Sequence, residues 1–247
     1  MNELERIEAL AYRSAAEAAP DGIAHEVRGG VCLAVKSFPT SALNRVVGMN
    51  GDLDVDAAVA FYAEAGLACV LSVPPGLVEL ERELGERGFT RDAGWMKFER
   101  GREEPPELAS DLRVEETRDA ETFGMLAAEG FGAGSSAAAS AAGIVGRKGW
   151  HCFLARAGDQ PAAVGALFAD GTSGWLGVAA TRPEFRRRGG QSAITRARIL
   201  KAFELGLLRL TVETGARVGD RPAGSYRNIL RAGFREAYVR PNWTAPR

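Results

Sequence analysis

The sequence predicts an α/β protein with a mixed sheet, built as two tandem copies of one fold. Three observations predict this. Strand-length apolar runs and helix-length amphipathic segments interleave through the C-terminal part. The order helix, buried-type strand, helix closing on Gly-Phe occurs twice. Between the two occurrences lies a polar segment, Gly101 to Ser110, with adjacent prolines and no periodicity, which reads as a linker. The boundaries that follow are 1–105 for the first copy and 106–247 for the second.

In the first copy, Asp54 opens an amphipathic helix with Val55, Ala58, Val59 and Tyr62 on one face, and Gly66 stops it. Leu67 to Val73 reads as a buried strand. Leu77, Leu80 and Leu84 mark a second helix, which ends at Gly88-Phe89. In the second copy, Leu112 to Glu116 is a short strand, and Asp119 caps a helix carrying Phe123, Leu126 and Ala127. Gly132 to Gly143 is rich in small residues and reads as helix or loop. Strands follow from Cys152, Ala163 and Gly174, with Asp170-Gly171 turning between the last two. A helix from Gln191 to Glu204 ends at Gly206; then come a strand over Leu207 to Glu213, a helix from Ser225 to Arg231 closed by Gly233, and a strand from Glu236 that stops at Pro241.

The chain has 247 residues, 46% apolar and 26% charged, with a net charge of -1. That balance argues against attachment to nucleic acid or membrane by overall charge. No apolar run reaches a membrane span, and the start lacks a signal peptide's basic and apolar regions, so a cytoplasmic protein is expected. Cys32, Cys69 and Cys152 lie far apart in apolar runs and read as buried thiols. Neither His25 nor His151 has metal-ligand neighbours, so no metal is expected.

The informative stretch runs from Ala179 to Ala193: Ala-Ala-Thr-Arg-Pro-Glu-Phe-Arg-Arg-Arg-Gly-Gly-Gln-Ser-Ala. A strand ends, an arginine-rich turn follows, and Gly189 and Gly190 lead into a helix. The first amides of a helix have no internal partners, and with the helix dipole they form an anion site. Arg186, Arg187 and Arg188 add positive charge, which suits a pyrophosphate.

This stretch resembles the signature of the GNAT superfamily of acyl-CoA-dependent N-acetyltransferases: Arg or Gln, two residues, Gly, one residue, then Gly or Ala. Arg186, Gly189 and Gln191 take those places, with Gln191 departing from the usual small residue. The resemblance implies a GNAT fold and acetyl-CoA as co-substrate. It implies that amides from Arg186 to Ser192, including Gly190, wrap the pyrophosphate, and that the backbone at Ala179, Ala180 and Thr181 pairs with the pantetheine arm. Ser225 to Phe234 resembles the family's last helix, but Ile229 holds the place of its acid tyrosine and Pro222 replaces its frequent Asn. Tyr226, three residues earlier on a neighbouring face, is the candidate acid if the helix is shifted and otherwise a packing or surface tyrosine, and Asn228 offers a polar group to CoA. Glu213, at a strand end where such sheets splay, is the expected base or ammonium-binding group.

The first copy has acidic Gly48 to Asp54 where the arginine-glycine turn belongs, so it is expected not to bind CoA. The implied reaction is direct acetyl transfer to a primary amine, on a small molecule or a peptide, in a ternary complex. A non-catalytic acyl-CoA-binding or regulatory module is the rival reading, and an α/β interaction domain a third. A homodimer is permitted by the sequence and not demanded by it.

Overall fold

The computed structural model describes residues 2–38, 41–107, 110–217 and 224–246; Pro222 and the Leu108–Ala109 part of the linker lie outside them. The elements, in chain order, are α1 (Glu3–Ala18), β1 (Gly22–Val27), β2 (Gly30–Val35), β3 (Val46–Val47), α2 (Val55–Ala65), β4 (Val70–Ser72), α3 (Val78–Glu86), β5 (Thr90–Arg100), β6 (Arg113–Glu116), α4 (Ala120–Gly130), α5 (Ser136–Ala142), β7 (Trp150–Ala157), β8 (Gln160–Asp170), β9 (Ser173–Thr181), α6 (Gly190–Glu204), β10 (Arg209–Gly215), α7 (Gly224–Arg231) and β11 (Arg235–Thr244). A 3-10 turn, Pro183–Phe185, precedes α6.

Local chemistry sets many of these boundaries. Asn2 caps α1, accepting from the amides of Leu4 at 2.7 Å and Glu5 at 3.3 Å. Asp54 caps α2 and Asp119 caps α4 in the same way, and Gly66 ends α2 at φ 70°. The small-residue stretch after Gly132 contains α5. One expectation fails: β11 does not stop at Pro241 but runs through it to Thr244. Pro241 sits at an irregularity between Arg240 and Asn242, where the ladder does not require its missing N–H, and its carbonyl accepts from Val73.

Among the described residues, all strands join one 11-stranded sheet in the order β1-β2-β3-β4-β11-β5-β10-β9-β8-β7-β6. The centre is reciprocal. β5, the last strand before the linker, lies between β10 and β11; β11, the last strand of the chain, lies between β4 and β5. Their side chains cross over too. Met96 and Phe98 of β5 pack into the core with α6 and α7, while Trp243 of β11 packs into the core with α2 and α3.

Alternation along the strands separates two faces. On β8, Val164, Ala166 and Phe168 pack with α1, α4 and α5, whereas Leu167 packs against the α6 and α7 side. The core under α1 spans the linker: Ile7, Tyr12, Leu33 and Val35 pack with Phe123, Ala137, Leu154 and Trp175. No helix among the described residues is long and apolar enough to cross a membrane.

Candidate active site

Strands β9 and β10 pair in parallel from Ser173–Arg209 to Leu176–Val212, and there the pairing stops. β9 continues to Thr181 on β8 alone, and β10 continues to Gly215 on β5. The strands therefore splay, and β9 from Gly177 onward has no strand partner on the β10 side. At the mouth of the splay β9 bulges, with Val178 and Ala179 opposite Gly165. Val178 has φ 49°, the left-handed region, which is unfavourable for a β-branched residue and costs roughly 1–3 kcal/mol.

A buried arginine braces this bulge. Arg198 of α6 is 3% exposed and donates to the carbonyls of Ala166 and Gly177, each at 3.2 Å, and to Ile194 O and Thr195 Oγ1. It makes no ion pair among the described residues. Burial brings its pKa down to about 9, so it stays charged at neutral pH. Gly165 leaves the room: a Cβ there would lie 2.4 Å from Ile194 Cγ2 and 3.3 Å from Arg198 Cζ.

The expected anion end lies at the start of α6. Gly189 is the N-cap of α6 at φ 76°, and among the described residues no side chain caps the helix. The first-turn amides of Gly190, Gln191 and Ser192 therefore have no capping acceptor. Arg186, Arg187 and Arg188 lie exposed on the turn beside them, with Arg187 also at positive φ. Arg188 pairs with Asp111, while Arg186 and Arg187 make no ion pair among the described residues. Gln191 is held by Asn228, whose Nδ2 donates to its Oε1 at 2.8 Å, so these two side chains tie α6 to α7. In the other half of the chain, the start of α2 is already filled by the Asp54 carboxylate.

A cavity of about 380 Å³ passes through the splay and is walled from both faces of the sheet. On the α6–α7 side Gln191, Thr195, Ser225 and Ile229 line it. On the other side stand Tyr12, Phe38, Leu43, Phe131, Ile144 and Trp175, with Trp95 of β5 between. Ala179 lines the cavity, while Ala180 is buried and Thr181 pairs with Ala163 at its edge.

Of the two expected catalytic groups, only Glu213 lines this cavity. Tyr226 is on the far side of α7: its hydroxyl donates to Glu236 at 2.5 Å, its ring packs on Phe98, and it lines a separate hollow with Arg217 and Val239. Ile229, not Tyr226, faces the main cavity. Glu213 does line that cavity but is buried and engaged. It accepts from Tyr12 at 2.7 Å, from Arg45 at 2.6 Å, and from Arg240. Burial alone would raise its pKa, but Arg45, Arg240 and Lys97 outweigh burial and hold it far below the usual carboxylate range. A carboxylate so held is a poor proton acceptor, so the base role expected of Glu213 is not supported by this geometry.

Glu213 belongs instead to a buried charge cluster that sequence reading missed. Glu5 and Glu8 of α1, Arg45, Lys97 of β5, Glu213 of β10 and Arg240 of β11 are each between 0% and 4% exposed in their side chains. Arg240 contacts Glu5 at 2.8 Å and Glu8 at 2.6 Å as well as Glu213, and Lys97 pairs with Glu8. Helix α1 was legible in principle, from the Asn2 cap and Leu4, Ile7, Ala11 and Tyr12 at helical spacing.

No family model matches the sequence, and no curated protein is significantly similar to it. Solved structures do match over the whole chain. A GCN5-related N-acetyltransferase from Kribbella flavida superposes with TM-score 0.67 at 18% identity, covering 100% of this chain and 97% of its own. A tandem GNAT protein from the clavulanic acid biosynthesis pathway superposes with TM-score 0.63 at 13% identity, covering 99% and 88%. A GNAT-family acetyltransferase from Colwellia psychrerythraea gives TM-score 0.59 at 12% identity, covering 100% and 98%. The splayed strands, the uncapped helix and these superpositions agree: the chain has the fold of the GNAT acetyltransferases from end to end.

Proposed function

We propose that the protein is an acyl-CoA-dependent N-acyltransferase that moves an acetyl group to a primary amine. The observation that carries the reading is the uncapped start of α6 at the mouth of a splay that opens into a cavity crossing the sheet. The residues fit the co-substrate. The amides of Gly190, Gln191 and Ser192, with Arg186 and Arg187, suit its pyrophosphate. The unpaired edge of β9 at Ala179 suits an extended, amide-bearing arm, as an added strand would.

Acetyl-CoA supplies a thioester already activated for acyl transfer. The reaction forms a C–N bond, breaks the C–S bond, and passes one proton from nitrogen towards the thiol. The chain's part is positioning and charge. Arg198 fixes the bulge, and its uncompensated positive charge stabilises negative charge developing nearby in a water-poor cleft. The cavity holds the two reactants together, which accounts for a large share of such rate gains. The reciprocal placement of β5 and β11 supports tandem copies divided as 1–105 and 106–247, with the first copy supplying one wall of the acceptor chamber through Tyr12, Leu43 and Trp95.

The test is amine-dependent release of free CoA thiol from acetyl-CoA, together with calorimetry. One acetyl-CoA site per chain is expected; two equivalent sites, or none, would sink the reading. Tyr226→Phe is expected to change turnover by less than about twofold, because the hydroxyl faces Glu236 and not the cavity. A loss on the scale of a general acid, about 10²-fold or more, would show that α7 turns during catalysis. Ile229 at the cavity wall favours a second reading, an acyl-CoA-binding module without turnover. Binding without thiol release for any amine would select it.

A further inference from the structure

The acceptor chamber carries a charge pattern that constrains what enters it. Among the described residues lining the cavity, only Glu213 and Arg198 are charged. The Glu213 carboxylate already accepts from Arg45, Arg240 and Tyr12. Behind it stand Glu5, Glu8 and Lys97, so the cluster holds three carboxylates against three cations. Arg198 adds one more positive charge with no carboxylate beside it. The two aromatic faces beside the cluster are already engaged, with the Arg45 guanidinium 4.7 Å from the Tyr12 ring centroid and 5.1 Å from that of Trp95, which leaves an ammonium only Trp175, Phe38 and Phe131, with no carboxylate beside them among the described residues lining the cavity. An alkylammonium entering here would lose its hydration, find no unengaged carboxylate, and meet a positive field.

From this we infer that the acceptor is an aromatic amine of low basicity, uncharged at neutral pH, whose ring lies between Phe38, Phe131, Ile144 and Trp175. The inference rests on the acyltransferase reading for the reaction, but not for the chemistry of the chamber. It removes the need for a protein base, which Glu213 is too tightly held to be. A nitrogen that arrives neutral attacks directly; as the C–N bond forms and the C–S bond breaks, its proton passes to the leaving thiolate, giving amide and free CoA thiol.

The test compares 2-naphthylamine with 2-naphthylmethylamine, which differ by one methylene but in charge at pH 7. Binding is read from quenching of tryptophan fluorescence, since Trp95 and Trp175 line the chamber, with and without CoA present. The expected result is saturable binding of 2-naphthylamine that is flat from pH 6 to 9. 2-Naphthylmethylamine should bind at least about tenfold more weakly at pH 7, and gain close to tenfold per pH unit as its neutral fraction rises towards an alkylamine pKa near ~10. Phe131→Glu, at a position 45% exposed and therefore tolerant of a charge, is expected to shift that preference about tenfold towards the alkylamine. Tighter binding of 2-naphthylmethylamine at pH 7, binding of neither amine, or no shift in Phe131→Glu overturns the inference. Acetyl-CoA binding without 2-naphthylamine binding defeats this inference alone. The converse defeats the acyltransferase reading and leaves the chamber's selectivity standing.

Discussion

Arg240→Met is expected to lower stability by about 3–5 kcal/mol, the cost of breaking a buried ion pair by removing one partner. The side chain is 1% exposed and joins Glu5, Glu8 and Glu213. Removing it leaves those three carboxylates against Arg45 and Lys97 alone. A total stability of about 5–15 kcal/mol is usual, so the loss is a large share of it. For a chain of this length it corresponds to a fall of roughly 6–20 °C in midpoint, read by circular dichroism at pH 7. The double variant Arg240→Met with Glu213→Met removes one charge of each sign and should recover part of the loss, because partners in one network are not additive. A single-variant change under about 1 kcal/mol would show that water reaches the cluster.

Acid should act through the same groups. Burial raises the pKa of Glu5, but Arg240 and Lys97 outweigh it and hold it below the ordinary 4.5, as the cations do for Glu213. A depressed folded-state value gives stability that is complete above the unfolded value and lost as pH falls through the folded one. Glu8 opposes this: burial raises its pKa, so its share is present at low pH and is lost as pH rises through the folded value. Two carboxylates against one predict a net loss of stability below about pH 4.5, and Arg240→Met should flatten that acid limb.

The cluster also shows why one end of the proposed site could be read from the sequence and the other could not. The anion end is contiguous. Residues 179 to 192 hold the strand end, the proline, the arginines and the glycines in one run, and each speaks through local backbone chemistry. The acceptor end is assembled from α1, the segment before β3, β5, α4, α5 and β9, and no spacing in the sequence ties Tyr12 or Trp95 to Trp175. Glu5 and Glu8 sit among the apolar residues of α1, and nothing local marks them as buried, because their partners Arg45, Lys97 and Arg240 are remote in the chain. Glu213 was legible as a residue at the splay, but its role was not. A carboxylate's proton affinity depends on neighbours the sequence does not name. The register of α7 was readable from its Gly233-Phe234 end, which puts Ile229 in the acid's place; Ile229 lines the cavity, and Tyr226, on a neighbouring face, lines the other hollow.

Gly189→Asp is expected to weaken acetyl-CoA binding by at least about 100-fold while the protein stays folded. Gly189 is the N-cap of α6 at φ 76°, where a side chain is strained but Asp and Asn are the least penalised. The left-handed backbone there lacks the extended geometry of a capping residue, so the added carboxylate acts through its charge beside the first-turn amides. A like charge at about 4 Å with an effective dielectric near 20 is repelled by about 4 kcal/mol, and salt screening reduces this towards the 100-fold stated. Gly189→Asn is the control. It carries the same shape and strain without the charge, so calorimetry should find it much closer to the unaltered protein. Equal losses in the two variants would assign the effect to backbone strain, and unchanged affinity in folded Gly189→Asp would place the co-substrate elsewhere. A carboxylate already stands at the start of α2, where Asp54, in extended backbone, accepts from the Ala57 amide at 3.0 Å. That helix start is neutralised by its own cap, and this is the physical basis for expecting one acetyl-CoA per chain.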